Sequence, residues 1–182
     1  MSSEIVTFTG RVVDPLDLAP DKVNIIDIAH SLANQCRFTG HVREFYSVGQ
    51  HSVLCFWFAS ELGYPKPVRK QLLMHDGSEA YVADLARPVK RAAGLGEAYR
   101  AVEDSVQATV AQAFGLRFPF DERVHLVDNA LLAAEQRDLM PRFRHIEVPL
   151  IYPYEIRPWT PDKAKGAFLD AYEELFDETP KR

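Results

Sequence analysis

Five ionisable side chains stand where the hydrophobic pattern of this chain calls for apolar ones. Val48, Cys55, Phe58 and Leu62 recur at helical spacing, and His51 falls in the same stripe. Farther on, Val68 and Leu72 lead to His75, Asp76 and Glu79, so an imidazole and two carboxylates end an otherwise apolar face. In a third segment Val124, Val127 and Leu131 share their face with Asp128. A carboxylate buried without a partner costs several kcal/mol or takes up a proton. Two histidines and two aspartates turned toward one core can satisfy one another through a shared cation. Two imidazole nitrogens and two carboxylate oxygens suit Mn, Fe, Co, Ni or Zn, whereas Ca takes oxygen alone. An octahedral ion on such a set keeps about two positions for water or phosphate, and a water held there is acidified enough to act as a nucleophile near neutrality. The plainer reading makes each histidine a hydrogen-bonded core residue and gives Asp128 an internal salt bridge, for example to Arg123 or Arg37. It has to explain three segments separately.

The elements that must position these residues are helical. The apolar set Ile25, Ile28, Ala29, Leu32 and Ala33 predicts a helix over 25–36. Further helices are expected over 47–62, over 66–80 with Pro67 in its first turn, and over 97–114 with Tyr99, Val102, Val106, Val110, Ala113 and Phe114 inward. Two more are expected over 121–139 and from the Thr160-Pro161-Asp162 cap to about Phe176. The alternating IVTFTGRVV near the N-terminus reads as a short strand or hairpin, and HIEVPLIYPYEIRPW as a proline-broken, extended connection. The fold class expected is all-α: a compact multi-helix bundle with a possible short N-terminal β-hairpin, forming one domain over 1–182 with its core at about 25–140.

Composition narrows the partners. The 182 residues carry 21 basic and 26 acidic side chains, a formal charge of -5, which argues against a nucleic-acid polymer or a membrane surface. No apolar run approaches the ~18 residues of a membrane span and no signal-peptide pattern opens the chain, so a cytoplasmic location is the expectation. Cys36 and Cys55 fit neither a zinc ribbon nor a disulfide framework and read as reduced thiols. Gly94-Leu95-Gly96 lacks the lysine of a phosphate loop and reads as a connection before a helix. No G-x-S-x-G elbow is present.

The text around the ionisable residues resembles the HD-domain phosphohydrolases. QHSV carries His51, LLMHDGSEA carries His75-Asp76, and HLVDNALLAA carries Asp128. HDGSEAYVADLARPVK is similar to the HD-x-x-E-x-x-x-x-D-L-x-x-P-V-K stretch of bacterial 5′-deoxynucleotidases, and CRFTGHVREFYSVGQHSV resembles the small phage-type dATP triphosphohydrolases. The resemblance covers about Ile25 to Ala134. It implies His51, His75, Asp76 and Asp128 as ligands of one divalent transition-metal ion, and Glu79 as general acid or base. It implies Asp84 as a second carboxylate of the catalytic pocket, with a loop or N-cap role as its alternative. Arg37 is implied to engage the substrate phosphate, Phe38 to pack on sugar or base unless it is plain core, and Lys90 to offer a charge to phosphate unless it is solvated. Arg43 and Arg87 are further candidate cations.

The activity so implied is hydrolysis of a nucleoside monophosphate, as in a 5′-deoxynucleotidase. A dNTP triphosphohydrolase and a non-catalytic metal- and nucleotide-binding regulator stay open. His125, one turn before Asp128, could back the site, His41 and His30 could line it or cap, and His145 lies in the proline-broken segment. The aromatic-rich FWF and LIYPYEIRPW segments, with the habit of the resembling proteins, suggest a homodimer or larger homo-oligomer.

Overall fold

A computed structural model describes residues 3–142 and 147–179. At the N-terminus β1 (Ile5–Val6) pairs antiparallel with β2 (Val12–Val13), Ile5 opposite Val13 and Val6 opposite Val12. Thr9 ties this hairpin to the first helix, its backbone N–H and hydroxyl donating to the Asp27 carboxylate at 2.7 and 2.8 Å. The helices follow as α1 (Ile25–Asn34), α2 (Val48–Glu61), α3 (Lys66–Met74), α4 (Glu79–Val82), α5 (Arg87–Lys90), α6 (Leu95–Ala113), α7 (Glu122–Leu139) and α8 (Pro161–Phe176). The protein is an all-α bundle with a short N-terminal hairpin. Side-chain oxygens of Asn24, Ser47, Asp121 and Thr160 accept backbone N–H groups at the starts of α1, α2, α7 and α8, which satisfies donors a helix leaves open. No helix among the described residues is long and apolar enough to cross a membrane.

The bundle is arranged around α2. Its buried surface is wider than the single stripe expected: Val48, Val53, Cys55, Phe56, Phe58 and Ala59 are all buried, as are Gln50, His51 and Ser52 between them, while Leu62 lies at the exposed end. On one side of α2, Ile28, Leu32, Leu73, Met74, Val110 and Phe168 form one apolar cluster. On the other, Cys55, Phe58, Leu72, Val127, Leu131 and Tyr152 form a second. The backbones of α1 and α2 approach so closely at Gly49 that a Cβ there would lie 3.0 Å from the Ala33 nitrogen. Buried Gln50 donates to the Arg157 carbonyl and accepts from the Trp159 N–H, each at 2.8 Å, and so holds the irregular 147–159 segment against α2. Phe168, Ala171 and Leu175 of α8 add to the core beyond residue 140.

The helix expected over 66–80 is broken. It ends at Met74, residues 75–78 form a turn, and α4 begins at Glu79. The cause lies in α6. Gln107 accepts the Ser78 N–H at 2.9 Å and donates to the Met74 carbonyl at 3.0 Å, replacing backbone bonds the turn gives up. Gly77 lets α6 press on the turn, since a Cβ there would stand 2.9 Å from Val110 Cγ1. Along α6 itself Val106 and Val110 are buried, whereas Tyr99, Val102, Ala113 and Phe114 are only partly covered.

Candidate metal centre

Three elements meet at one point: α2 brings His51, the turn after α3 brings His75 and Asp76, and α7 brings Asp128. His51 Nε2 lies 3.2 Å from His75 Nε2, 3.4 Å from Asp128 Oδ1 and 3.7 Å from Asp76 Oδ2. His75 Nε2 lies 3.3 Å from Asp76 Oδ2. The other ring nitrogens decide what these atoms can be. His51 Nδ1 is 2.6 Å from Glu135 Oε1, and His75 Nδ1 is 2.8 Å from the Leu72 carbonyl. A carbonyl and an ionised carboxylate only accept, so both Nδ1 atoms carry a hydrogen, and a ring that holds no second proton turns a lone pair inward at Nε2. Two lone pairs and two carboxylate oxygens then converge with no donor among them. That arrangement is repulsive unless a cation or a proton occupies its middle.

With no cation there, a proton on His51 takes that place. Burial and the Arg37 charge oppose a proton on His51, but Cys55, Glu135 and Asp128 outweigh them and hold this imidazole well above its ordinary range. Burial pushes Asp128 up, and the His51 hydrogen bond and charge, with His75 and Arg37, reverse that and hold it well below the usual carboxylate range. Cys55 Sγ lies 3.6 Å from His51 Nε2, and the His51, Cys55 and His75 group could hold a metal ion. Burial pushes the Cys55 thiol up.

Asp76 and Asp128 open onto a cavity of 1050 Å³, which Arg37, Phe38, Glu79, Asp84 and Lys90 also line. Arg37 sends Nε and one terminal nitrogen to Glu135 Oε2 at 3.2 and 2.9 Å, and its other terminal nitrogen lies 3.7 Å from Asp76 Oδ2. Phe38 lies under that guanidinium, 5.6 Å from ring centre to carbon. Phe38 and Thr39 both take left-handed backbone angles, φ 56 and 54, which costs a bulky or β-branched residue about 1–3 kcal/mol. The turn that aims Arg37 is thus held by its surroundings.

Glu79 is 5% exposed. Its Oε1 accepts from Lys90 Nζ at 3.0 Å, and its Oε2 has no hydrogen-bond partner. Burial, then the charges of Asp76 and Asp84, push its pKa well above the ordinary glutamate value against the pull of Lys90. Lys90 is not a solvated lysine: it also donates to Glu103 Oε1 at 2.6 Å. Asp84 stands between α4 and α5 after Ala83, whose φ of 66 is a conformation alanine rarely adopts. Its backbone N–H donates to Gln35 Oε1 at 3.1 Å, and because Ala86 precedes α5, Asp84 is a loop carboxylate and no cap.

No family model matches the chain. Against curated proteins it is 36% identical over 180 residues to the uncharacterized protein YfdR of Escherichia coli, an alignment covering 95% of this chain and 96% of that protein. The chain belongs to the YfdR family. An uncharacterized protein of Rhodobacter capsulatus is also 36% identical, over 112 residues that make up 59% of this chain and 56% of that relative.

In this YfdR-family chain the salt-bridge alternative for Asp128 is met by a residue other than those expected. Arg123 is held by Asp121 at 2.7 and 2.8 Å, and Arg37 by Glu135. It is Arg87 that reaches Asp128 Oδ2 at 3.1 Å and Asn129 Oδ1 at 3.2 Å, tying α5 to α7 in the cavity wall. Gly96 lets α6 seat against α5, since a Cβ there would lie 2.5 Å from the Lys90 carbonyl. Arg43 reaches the Pro141 carbonyl at 3.4 Å and is not among the described residues lining the cavity. His41 lines the cavity. His125 is exposed and borders a second cavity of 660 Å³ that also touches Asp76 and Asp128. His30 stacks on Phe8 at 3.7 Å and has no part in the site. His145 lies outside the described residues.

Glu135 is the residue that sequence reasoning missed. It is wholly buried, and besides His51 and Arg37 it receives the Tyr46 hydroxyl at 2.9 Å. A signal was present: Glu135 follows Asp128 by seven positions, two helical turns along the same face.

Proposed function

We propose that this YfdR-family chain is an HD-type, metal-dependent phosphohydrolase acting on deoxynucleotides, with the 5′-monophosphate as its substrate. The observation that carries the reading is the convergence of His51, His75, Asp76 and Asp128, both histidines turned inward by Nδ1 and both aspartates in the wall of a cavity. These four would hold one divalent ion of the Mn, Co, Ni, Fe or Zn group. When bound, such an ion supplies Lewis-acid polarisation of a phosphoryl oxygen and acidifies water at the site.

The chain's own residues supply the rest. Arg37 is fixed by Glu135 along one edge and offers its remaining terminal nitrogen, on the Asp76 side, to a phosphate oxygen. Lys90, tied to Glu79 and Glu103, orients the Glu79 carboxylate. The free Oε2 of Glu79, with a pKa raised by burial, takes or gives the proton that hydrolysis moves. Asp84 adds negative charge to the same wall and helps to raise Glu79.

Charge favours the monophosphate over the triphosphate. The cavity is lined by Asp76, Glu79, Asp84, Asp128 and Glu147 against Arg37, Arg87, Lys90 and Arg91. One dication turns that small acidic excess into a small basic one. Arg37, Arg87 and Lys90 are moreover already paired internally. That suffices for one phosphate group and leaves little for three. Incubating the chain with dAMP and, separately, dATP in the presence of Mn or Co, followed by chromatography, tests the reading. Release of phosphate from dAMP supports it, tripolyphosphate from dATP replaces it with the triphosphohydrolase, and binding without either product replaces it with a regulator.

A further inference from the structure

The geometry points to Glu135 as a positioning residue that couples the metal centre to the phosphate-binding arginine, a role that rests on the metal-centre reading above. Glu135 is fully buried on α7, and its two oxygens face different tasks. Oε1 accepts from His51 Nδ1 at 2.6 Å and from the Tyr46 hydroxyl at 2.9 Å. Oε2 accepts from Arg37 Nε at 3.2 Å and from its terminal nitrogen at 2.9 Å. Four donors fill the acceptor capacity of a carboxylate. Glu135 therefore has nothing left for a cation or a substrate, and it acts only through the groups it holds.

Each half of the carboxylate fixes one direction. Holding the His51 hydrogen at Nδ1 leaves the Nε2 lone pair pointing into the cluster with Asp76 and Asp128. Occupying one edge of the Arg37 guanidinium leaves the other terminal nitrogen on the Asp76 side, in the cavity wall. Cation and phosphate positions are thereby referenced to a single rigid group, so that a phosphate held by Arg37 keeps a fixed distance from the ion. Only a carboxylate can do this. A glutamine offers one oxygen and one NH2, and whichever way it turns, one set of donors meets N–H groups.

The test uses the full chain with Mn2+ affinity read by chelator competition and inorganic phosphate affinity read by calorimetry on the Mn-loaded protein. Glu135→Gln is expected to lower Mn2+ affinity about 10–100-fold, the usual consequence of losing a group that orients a metal-bound histidine, and to lower phosphate affinity in the same protein. Tyr46→Phe removes another donor from the same buried oxygen and is expected to leave Mn2+ affinity within about threefold, a size well below that loss. Both affinities unchanged in Glu135→Gln, a loss in one alone, or an equal loss in Tyr46→Phe overturns the coupling. Should Glu135→Gln not fold, nitrogen NMR of the Zn-loaded wild type decides: His51 protonated at Nδ1 and bound at Nε2 supports the assignment, and the reverse overturns it. A wild type that binds Mn2+ and phosphate but turns over no nucleotide removes the phosphohydrolase reading and leaves Glu135 to be judged by the two affinities. A wild type that binds no Mn2+ removes both.

Discussion

Glu135 behind the cluster and Glu79 in front of it are both buried carboxylates, and they have been given opposite environments. Glu135 receives four donors, and although burial alone would raise it, Arg37, His51 and Tyr46 hold it at about 2. Glu79 receives one donor, keeps a bare oxygen, and is driven upward by burial and by its neighbours Asp76 and Asp84. Burial is common to both, so the sign of the neighbouring charges and the number of donors decide whether a buried carboxylate is a fixed anion or a titrating group. The first is suited to holding other side chains still, the second to moving a proton.

The largest effect expected removes what lies between the two. Asp128→Ala or His51→Ala should bring metal content to background and abolish turnover, read by elemental analysis beside a phosphate assay; metal retained at the parent level would dissolve the front-and-back distinction. Glu79→Gln should lower turnover about 10²–10⁴-fold with metal stoichiometry intact, the opposite of what a residue behind the cluster does. Stability then separates the pair by sign. Glu79 is raised, so its contribution is fully present below its unfolded value of 4.5 and is lost as pH rises through the folded value. Glu135 is depressed, so its contribution is present above 4.5 and is lost as pH falls toward about 2. In metal-free protein at pH 8, calorimetry should therefore find Glu79→Gln more stable than the parent and Glu135→Gln less stable by about 3–5 kcal/mol. The Glu79→Gln gain should disappear below pH 4.5.

Smaller effects sharpen the contrast. Lys90→Met takes away the one donor of Glu79, raises its pKa further, and should move to higher pH whichever limb of the pH–rate profile Glu79 sets, the acid limb for a base and the alkaline limb for an acid. No such displacement is expected from a residue that holds only structure. At the lower end, Thr160→Ala removes the cap of α8, which accepts from the Lys163 N–H at 3.3 Å, and should cost about 1 kcal/mol in a melting experiment with metal content unchanged.

Periodicity was enough to locate α1, α2 and α7, and the Thr160 cap fixed the start of α8, because each carries buried apolar residues at helical spacing. The break after Met74 was not legible, since it depends on Gln107 and Val110 arriving from α6. The convergence of His51, His75, Asp76 and Asp128 was readable as charge on apolar stripes. Glu135 carries the same signal, two turns beyond Asp128 on α7. What no local pattern could supply is pairing between elements: Arg87 with Asp128 and Arg37 with Glu135 join distant parts of the chain, and Lys90 joins Glu79 and Glu103 of the neighbouring helices.

The turn that carries His75 and Asp76 has its broken backbone completed by Gln107 and its glycine pressed on Val110, both from α6. Turn and helix therefore open together or not at all, as one cooperative unit. Amide hydrogens of residues 75–78 should exchange at the rate of the middle of α6, and a cation captured at the cluster should slow exchange there as well, in a helix that contributes none of the four converging side chains.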